Sequence, residues 1–75
     1  MYERIVIDPE IQHGKPVIRG TRVPITRIIG GLSVGITKEE VMKEYEVTDE
    51  DIRAALRYVA GLVEKEEFYT LPSRL

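Results

Sequence analysis

The stretch TKEEVMKEYEVTDEDIRAALRYVAGLVEKE, residues 37–66, decides the fold. Thr37 is followed three residues later by a glutamate, which is the signature of a capping box at the start of a helix. Thr48 is followed by an aspartate at the same spacing and predicts a second cap of the same kind. We therefore expect a short helix to about Tyr45, a tight connection, and a longer helix to about Glu66. Two helices joined in this way have the form of a helix-turn-helix.

The longer helix is apolar on two sides. The predicted core stripe consists of Ile52, Ala55, Leu56, Val59 and Val63. A second and weaker stripe consists of Ala54, Tyr58, Gly61 and Leu62. A helix that is apolar on two sides usually has two neighbours. We expect its own domain to cover one side and a second subunit to cover the other.

The residues before this stretch change from a β pattern to a helical one. Residues 4–7 and 15–19 are β-prone and can pair as a loose hairpin, with Pro16 limiting the second segment to an edge or a very short strand. From Pro24 an apolar stripe of helical spacing predicts a first helix that ends at residues 33–35. Its Gly30 and Gly31 suggest a close helix contact. The expected fold class is mainly α: a short N-terminal β segment followed by three helices.

The chain has 75 residues and no cysteine. A chain of this length buries only roughly 60% of the surface of its unfolded form, so we expect at least a homodimer. We expect a single domain at 1–66, with 1–22 as β segment and elbow and 23–66 as the three-helix bundle, followed by a C-terminal tail at 67–75. The absence of a signal-like apolar run favours a cytoplasmic protein.

The residue inventory argues against catalysis. His13 is the only histidine, and we expect it to be an exposed turn residue. No nucleophile elbow and no phosphate-binding glycine loop is present. We therefore expect a protein that is not an enzyme and needs no cofactor or metal.

Positive charge is concentrated near the N-terminus. Residues 1–27 carry five basic and three acidic residues, whereas residues 28–75 carry six basic and ten acidic ones. The stretch GKPVIRGTRVP, residues 14–24, contains a predicted bend and three basic residues. The Thr21 side chain can form hydrogen bonds with backbone groups at that bend. Arg19 and Arg22 either grip phosphate or a carboxylate, or are solvated cations on an architectural elbow.

The second helix of the helix-turn-helix gives a mixed signal for DNA binding. Its first residues, Asp49, Glu50 and Asp51, would be repelled by phosphates where a recognition helix normally meets base edges. Arg53 and Arg57, further along, can reach DNA, or can pair with these carboxylates at helical spacing.

Residues 14–24 resemble the hallmark of a bacterial and archaeal family catalogued as domain of unknown function 433. Residues 7–11, 35–41 and 49–56 match other parts of its pattern, so the resemblance covers about residues 4–63. It implies a homeodomain-like helical fold and an antitoxin-like role. Such proteins are often encoded beside a PIN-like ribonuclease toxin, which a VapB-type antitoxin neutralises while repressing its own operon through DNA. No catalytic residues carry over from the family.

Two hypotheses follow. In the first, an antitoxin-like dimer forms through the N-terminal β segments and the second stripe of the longer helix. It contacts duplex DNA through arginines, namely Arg19, Arg22, Arg27, Arg53 and Arg57. The expected toxin-binding residues are Tyr58, Leu62, Phe68, Tyr69, Leu71 and Arg74. Arg74 among apolar anchors suits a nuclease site rich in carboxylates, although a frayed tail or one packed on its own dimer has the same composition. In the second hypothesis, the chain is a protein-interaction module that never binds DNA.

Overall fold

The computed structural model describes residues 4–65 and places three helices behind a short sheet. The elements in chain order are β1 Ile5–Val6, a 3₁₀ turn Gln12–Gly14, β2 Val17–Ile18, α1 Ile25–Ser33, α2 Lys38–Tyr45 and α3 Asp49–Lys65. The expected fold class, mainly α with a short β segment before three helices, is confirmed. No helix within these residues is long and apolar enough to cross a membrane.

The two β segments pair as the predicted hairpin but are shorter than expected. β1 and β2 are antiparallel, with Ile5 opposite Ile18 and Val6 opposite Val17. Pro16 cannot donate to a ladder, and its carbonyl instead accepts from the Ile25 N–H at 3.0 Å. The second strand is thereby tied directly to the start of α1.

The elbow between β2 and α1 is built by local hydrogen bonds. Gly20 adopts φ +81°, which a residue with a side chain rarely does. The Thr21 hydroxyl donates to the Ile18 carbonyl at 2.7 Å and accepts from the Val23 N–H at 3.0 Å, as the sequence predicted for this threonine. The chain therefore turns within residues 19–24, and Pro24 stands at the N-cap of α1.

The glycine pair in α1 does not mark a tight contact. A methyl group on Gly31 would lie 3.6 Å from the Ile36 Cδ1 atom and 3.7 Å from the Val41 Cγ2 atom, and one on Gly30 would meet open space. These are ordinary van der Waals distances, so the expectation of a crowded backbone approach at these glycines is wrong.

Both predicted capping boxes are present. The Glu40 N–H donates to the Thr37 hydroxyl at 3.1 Å, and the Thr37 N–H donates to the Glu40 carboxylate at 2.9 Å. At α3, Thr48 and Asp51 exchange the equivalent bonds at 3.1 and 3.0 Å. Glu46, in the left-handed conformation with φ +56°, ends α2. The two caps fix where each helix begins and leave a three-residue connection between them.

The core lies between the sheet and the three helices. Its buried apolar residues are Ile5, Val17, Ile18, Ile25, Ile28, Val41, Val47, Ile52, Ala54 and Ala55. Part of the predicted α3 stripe is wrong, because Leu56 is 46% and Val63 is 50% exposed, whereas Ala54 from the second stripe is 3% exposed. Leu56 lies between buried Ala55 and half-buried Tyr58 and Val59, so its side chain points away from the core. Val63 is exposed because of length: α3 has 17 residues against 9 and 8 in α1 and α2, so its last turns have little to pack on.

Candidate functional site

Four of the five predicted DNA-contacting arginines line two grooves. The first, the elbow groove, has a volume of about 130 Å³ and is lined by Gln12, Arg22, Val23, Pro24, Arg27 and Tyr45. The second, the α3 groove, has a volume of about 300 Å³ and is lined by Arg4, Glu50, Arg53 and Arg57. Arg19 is exposed, and its backbone N–H donates to the Arg4 carbonyl at 2.7 Å.

The elbow groove collects hydrogen-bond donors without opposing carboxylates. Arg22 follows the bend at Gly20, and Arg27 lies in the first turn of α1, where its N–H donates to the Pro24 carbonyl at 3.0 Å. Neither guanidinium forms an ion pair within residues 4–65. Guanidinium groups offer several donors in a planar fork that matches phosphate or carboxylate oxygens. This groove can therefore hold an anionic group.

The α3 groove is different because two of its three arginines, Arg4 and Arg53, already have carboxylate partners. Arg4 Nη1 lies 2.9 Å from Asp51 Oδ1, and Arg4 Nη2 lies 2.7 Å from Glu50 Oε1. Arg53 Nε lies 2.9 Å from Asp49 Oδ2, which is the helical-spacing pair that the sequence offered as the alternative to DNA contact. The acidic start of α3 is thus neutralised by the chain itself.

Lys38 adds an ion pair between two helix starts. Its Nζ atom lies 2.8 Å from Asp49 Oδ1, so the first residue of α2 is joined to the first residue of α3. That oxygen is buried and has no other hydrogen-bond partner within residues 4–65. The Lys38 ammonium lowers the pKa of Asp49 against a raising effect of burial, and Arg53 lowers it further.

Asp51 is the buried carboxylate of this cluster. Burial alone would raise the pKa of Asp51, but hydrogen bonds from the Thr48 backbone and the Arg4 guanidinium outweigh it, and the pKa is lowered. Its side chain is 13% exposed, against 72% for Glu50. Asp51 therefore serves the helix cap and the Arg4 ion pair together.

Sequence reasoning missed Arg4 and Lys38. Arg4 meets carboxylates 46 and 47 residues away, and no periodicity rule reaches that far. Lys38 sits in the first turn of one helix and pairs with the first turn of the next. No local rule predicts this pair, because the short connection joins the end of α2, and not its start, to the start of α3.

The predicted partner-binding residues are only partly within the described chain. Tyr58 is half-buried against the core, and Leu62 is 47% exposed. Phe68, Tyr69, Leu71 and Arg74 lie outside the described residues, and their role stays a prediction. Within residues 4–65 no group of three acidic or histidine side chains could hold a metal ion.

These features define a class: small three-helix domains with a two-stranded N-terminal sheet and an arginine-bearing elbow. Residues 5–59 match the model of the family described as "Protein of unknown function (DUF433)". The chain belongs to the DUF433 family, and the resemblance seen in residues 14–24 is confirmed.

Individual relatives share both sequence and fold with this chain. A protein of Mycobacterium tuberculosis (strain ATCC 25618 / H37Rv), named "Putative antitoxin VapB45", is 36% identical over 57 residues, which are 76% of this chain and 24% of that protein. A crystal structure of a DUF433 member from Anabaena variabilis ATCC 29413 superposes with a TM-score of 0.75 at 30% identity, covering 83% of this chain and 62% of that one. The crystal structure of Rv2018 from Mycobacterium tuberculosis superposes with a TM-score of 0.67 at 35% identity, covering 73% of this chain and 27% of that one. The chain spans about a quarter of the length of its curated relative.

Proposed function

We propose that this chain is an antitoxin-like regulator that binds a toxin and contacts duplex DNA through the elbow groove, without catalysing a reaction. The observation that carries the proposal is the 36% identity to "Putative antitoxin VapB45", which covers 76% of this chain. The toxin we propose is a PIN-like ribonuclease, following the resemblance of residues 14–24. Neutralisation of the toxin and repression of the chain's own operon are the two activities to be tested.

The geometry favours the elbow groove over α3 as the phosphate contact. Arg22 and Arg27 are exposed and free of ion pairs within residues 4–65, whereas Arg53 is held by Asp49. A cation that already has a carboxylate partner must lose it before it gains a phosphate. We therefore assign the phosphate contacts first to Arg22 and Arg27, with Arg19 beside them, and only secondarily to Arg53 and Arg57.

Salt dependence tests the DNA contact. Each phosphate neutralised by a cation adds about −0.9 to the slope of log K against log salt. With a duplex from upstream of the chain's own gene, we expect Arg22→Ala/Arg27→Ala to weaken binding and make the slope shallower by about 2. Arg53→Ala is the matched control, and it should change both quantities less. Fluorescence anisotropy over a salt series measures them.

A second candidate function, a protein-interaction module without DNA binding, is favoured by the start of α3. Asp49, Glu50 and Asp51 occupy the position at which a recognition helix presents residues to base edges. Absence of binding to the upstream duplex at low salt would establish this candidate and remove the DNA part of the proposal.

The toxin contact needs its own experiment. If a small PIN-like nuclease is encoded next to this gene, co-expression should yield a complex, and the chain should suppress cleavage of an RNA substrate. We expect Arg74→Glu to weaken that suppression and Lys15→Glu, a charge change of the same size on an exposed residue before the elbow, to leave it intact. Undiminished suppression by Arg74→Glu would remove Arg74 from the contact, and nuclease activity unaffected by the unchanged chain would overturn the antitoxin role.

A further inference from the structure

From Leu56 onward, α3 carries an apolar face that nothing within residues 4–65 covers. Leu56 is 46% and Val63 is 50% exposed, and Ala60 between them is exposed as well. At about 100° per residue, these three side chains fall within an arc of roughly 60° on the helix. Half-buried Val59 borders the same arc. We call these four residues the α3 seam.

The seam is flanked by two opposite charges that have no ion-pair partner within residues 4–65. Arg57 and Glu64 are both exposed and lie on the same side of the seam. Neither forms an ion pair within residues 4–65. Seven residues separate them by about 10.5 Å along the helix, which is too far for them to pair with each other.

This arrangement is complementary to itself under a two-fold rotation. If two copies of α3 pack antiparallel, Arg57 of each copy faces Glu64 of the other, and two ion pairs form across one seam. The midpoint between residues 57 and 64 falls beside Ala60, whose small side chain in the middle of the seam lets two helix axes approach closely. A two-fold interface requires this kind of self-matching surface.

We propose that a second copy of this chain docks on the α3 seam, antiparallel, with the helices crossing at Ala60. This interface differs from the one the sequence predicted, which used the N-terminal β segments and the stripe of Ala54, Tyr58, Gly61 and Leu62. Ala54 is only 3% exposed and Tyr58 is half-buried in its own domain, so that stripe is largely occupied. The seam spans residues 56–64, about 13 Å of helix, so the dimer is of modest affinity.

The proposal can be tested apart from the proposed function, because the dimer does not use Arg22 or Arg27, although it shares Arg57, a secondary candidate for phosphate contact. The elbow groove supplies Arg22 and Arg27, whereas the dimer uses Arg57. Loss of DNA binding in Arg22→Ala/Arg27→Ala should therefore leave dimerisation unchanged. The two proposals can fail separately.

Charge reversal tests the seam on the full chain. Sedimentation equilibrium from about 1 µM to about 1 mM at low salt should show a monomer–dimer equilibrium. Arg57→Glu and Glu64→Arg should each raise the dissociation constant about tenfold, because each places two like-charge pairs across the interface. The double variant should return to within about threefold of the original, since the pairs re-form with reversed polarity.

Three further results decide the proposal. Lys43→Glu carries the same charge change as Arg57→Glu on exposed α2 surface and should leave the dissociation constant unchanged. Leu56→Lys should give a monomer with an unaltered circular dichroism spectrum, because Leu56 contributes little to the core. A monomer at all concentrations, or a double variant no better than either single one, would overturn the antiparallel seam.

Discussion

The two halves of α3 differ although one continuous helix contains both. In the first half, Ile52 and Ala55 are at most 2% exposed, and the leading carboxylates are held by Arg4, Lys38 and Arg53. In the second half, Leu62 and Val63 are 47% and 50% exposed. The helical periodicity of the sequence continues across both, so periodicity shows which residues share a face, but not whether that face is covered.

The two halves of α3 therefore have different roles, one in folding of the chain and the other in association with a second molecule. The first half is stabilised within the chain by burial and by a cap, and it fixes the direction of the helix. The second half extends past two helices that are about half as long as α3, and its apolar side chains are available to a second molecule. Three predictions test this division, beginning with the largest effect.

Truncating the core side of α3 should cost far more than truncating the exposed side. Ile52→Ala removes buried methyl groups and should lower the free energy of unfolding by about 2–5 kcal/mol. Leu56→Ala removes a side chain of the same size that is 46% exposed, and should cost less than about 1.5 kcal/mol. Urea unfolding at a concentration where the chain is monomeric measures both. Equal losses of unfolding free energy in the two variants would show that the two sides of the helix are packed alike.

The two capping boxes allow a similar comparison at smaller scale. Asp51→Ala should lower the free energy of unfolding by about 1–2 kcal/mol, because it removes a cap and leaves Arg4 with Glu50 alone. Glu40→Ala removes the matching carboxylate from the exposed cap of α2, and its cost should be smaller, at about 0.5 kcal/mol. The order of the two losses in urea unfolding is the test. A larger loss in Glu40→Ala would mean that the Arg4 pair adds nothing to the α3 cap.

The local features of the fold were predictable from sequence, whereas its long-range contacts were not. Both capping boxes and the Thr21 bend involve residues two or three apart, so residue type and spacing were sufficient. Arg4 binds carboxylates 46 and 47 residues away, and the exposure of Val63 depends on how far α1 and α2 reach. Within the candidate site, the pairing of Arg53 with Asp49 was predictable from helical spacing. The elbow groove was not, because Tyr45 on a different helix forms part of its lining.

The smallest expected effect is the loss of stability at acidic pH. Asp49 and Asp51 have lowered pKa values in the folded chain, so they release protons more readily there than in the unfolded chain. Their contribution to stability is complete above the ordinary aspartate value of about 3.9 and is lost as the pH falls through the lowered folded values. Unfolding free energy should therefore decline below about pH 4.

Asp51→Asn isolates one of the two groups, because the amide keeps the size of the side chain and removes the titration. Its stability should fall less steeply below about pH 4 than that of the unchanged chain, whereas Glu64→Gln, on the exposed half of α3, should leave the slope unaltered. Urea midpoints from pH 6 to pH 2 on monomeric samples give both slopes. If Asp51→Asn and the unchanged chain declined in parallel, the acid sensitivity would arise elsewhere. The stability of the first half of α3 would then come from burial alone. The ion pairs at its start would orient the helix without adding to the free energy of unfolding.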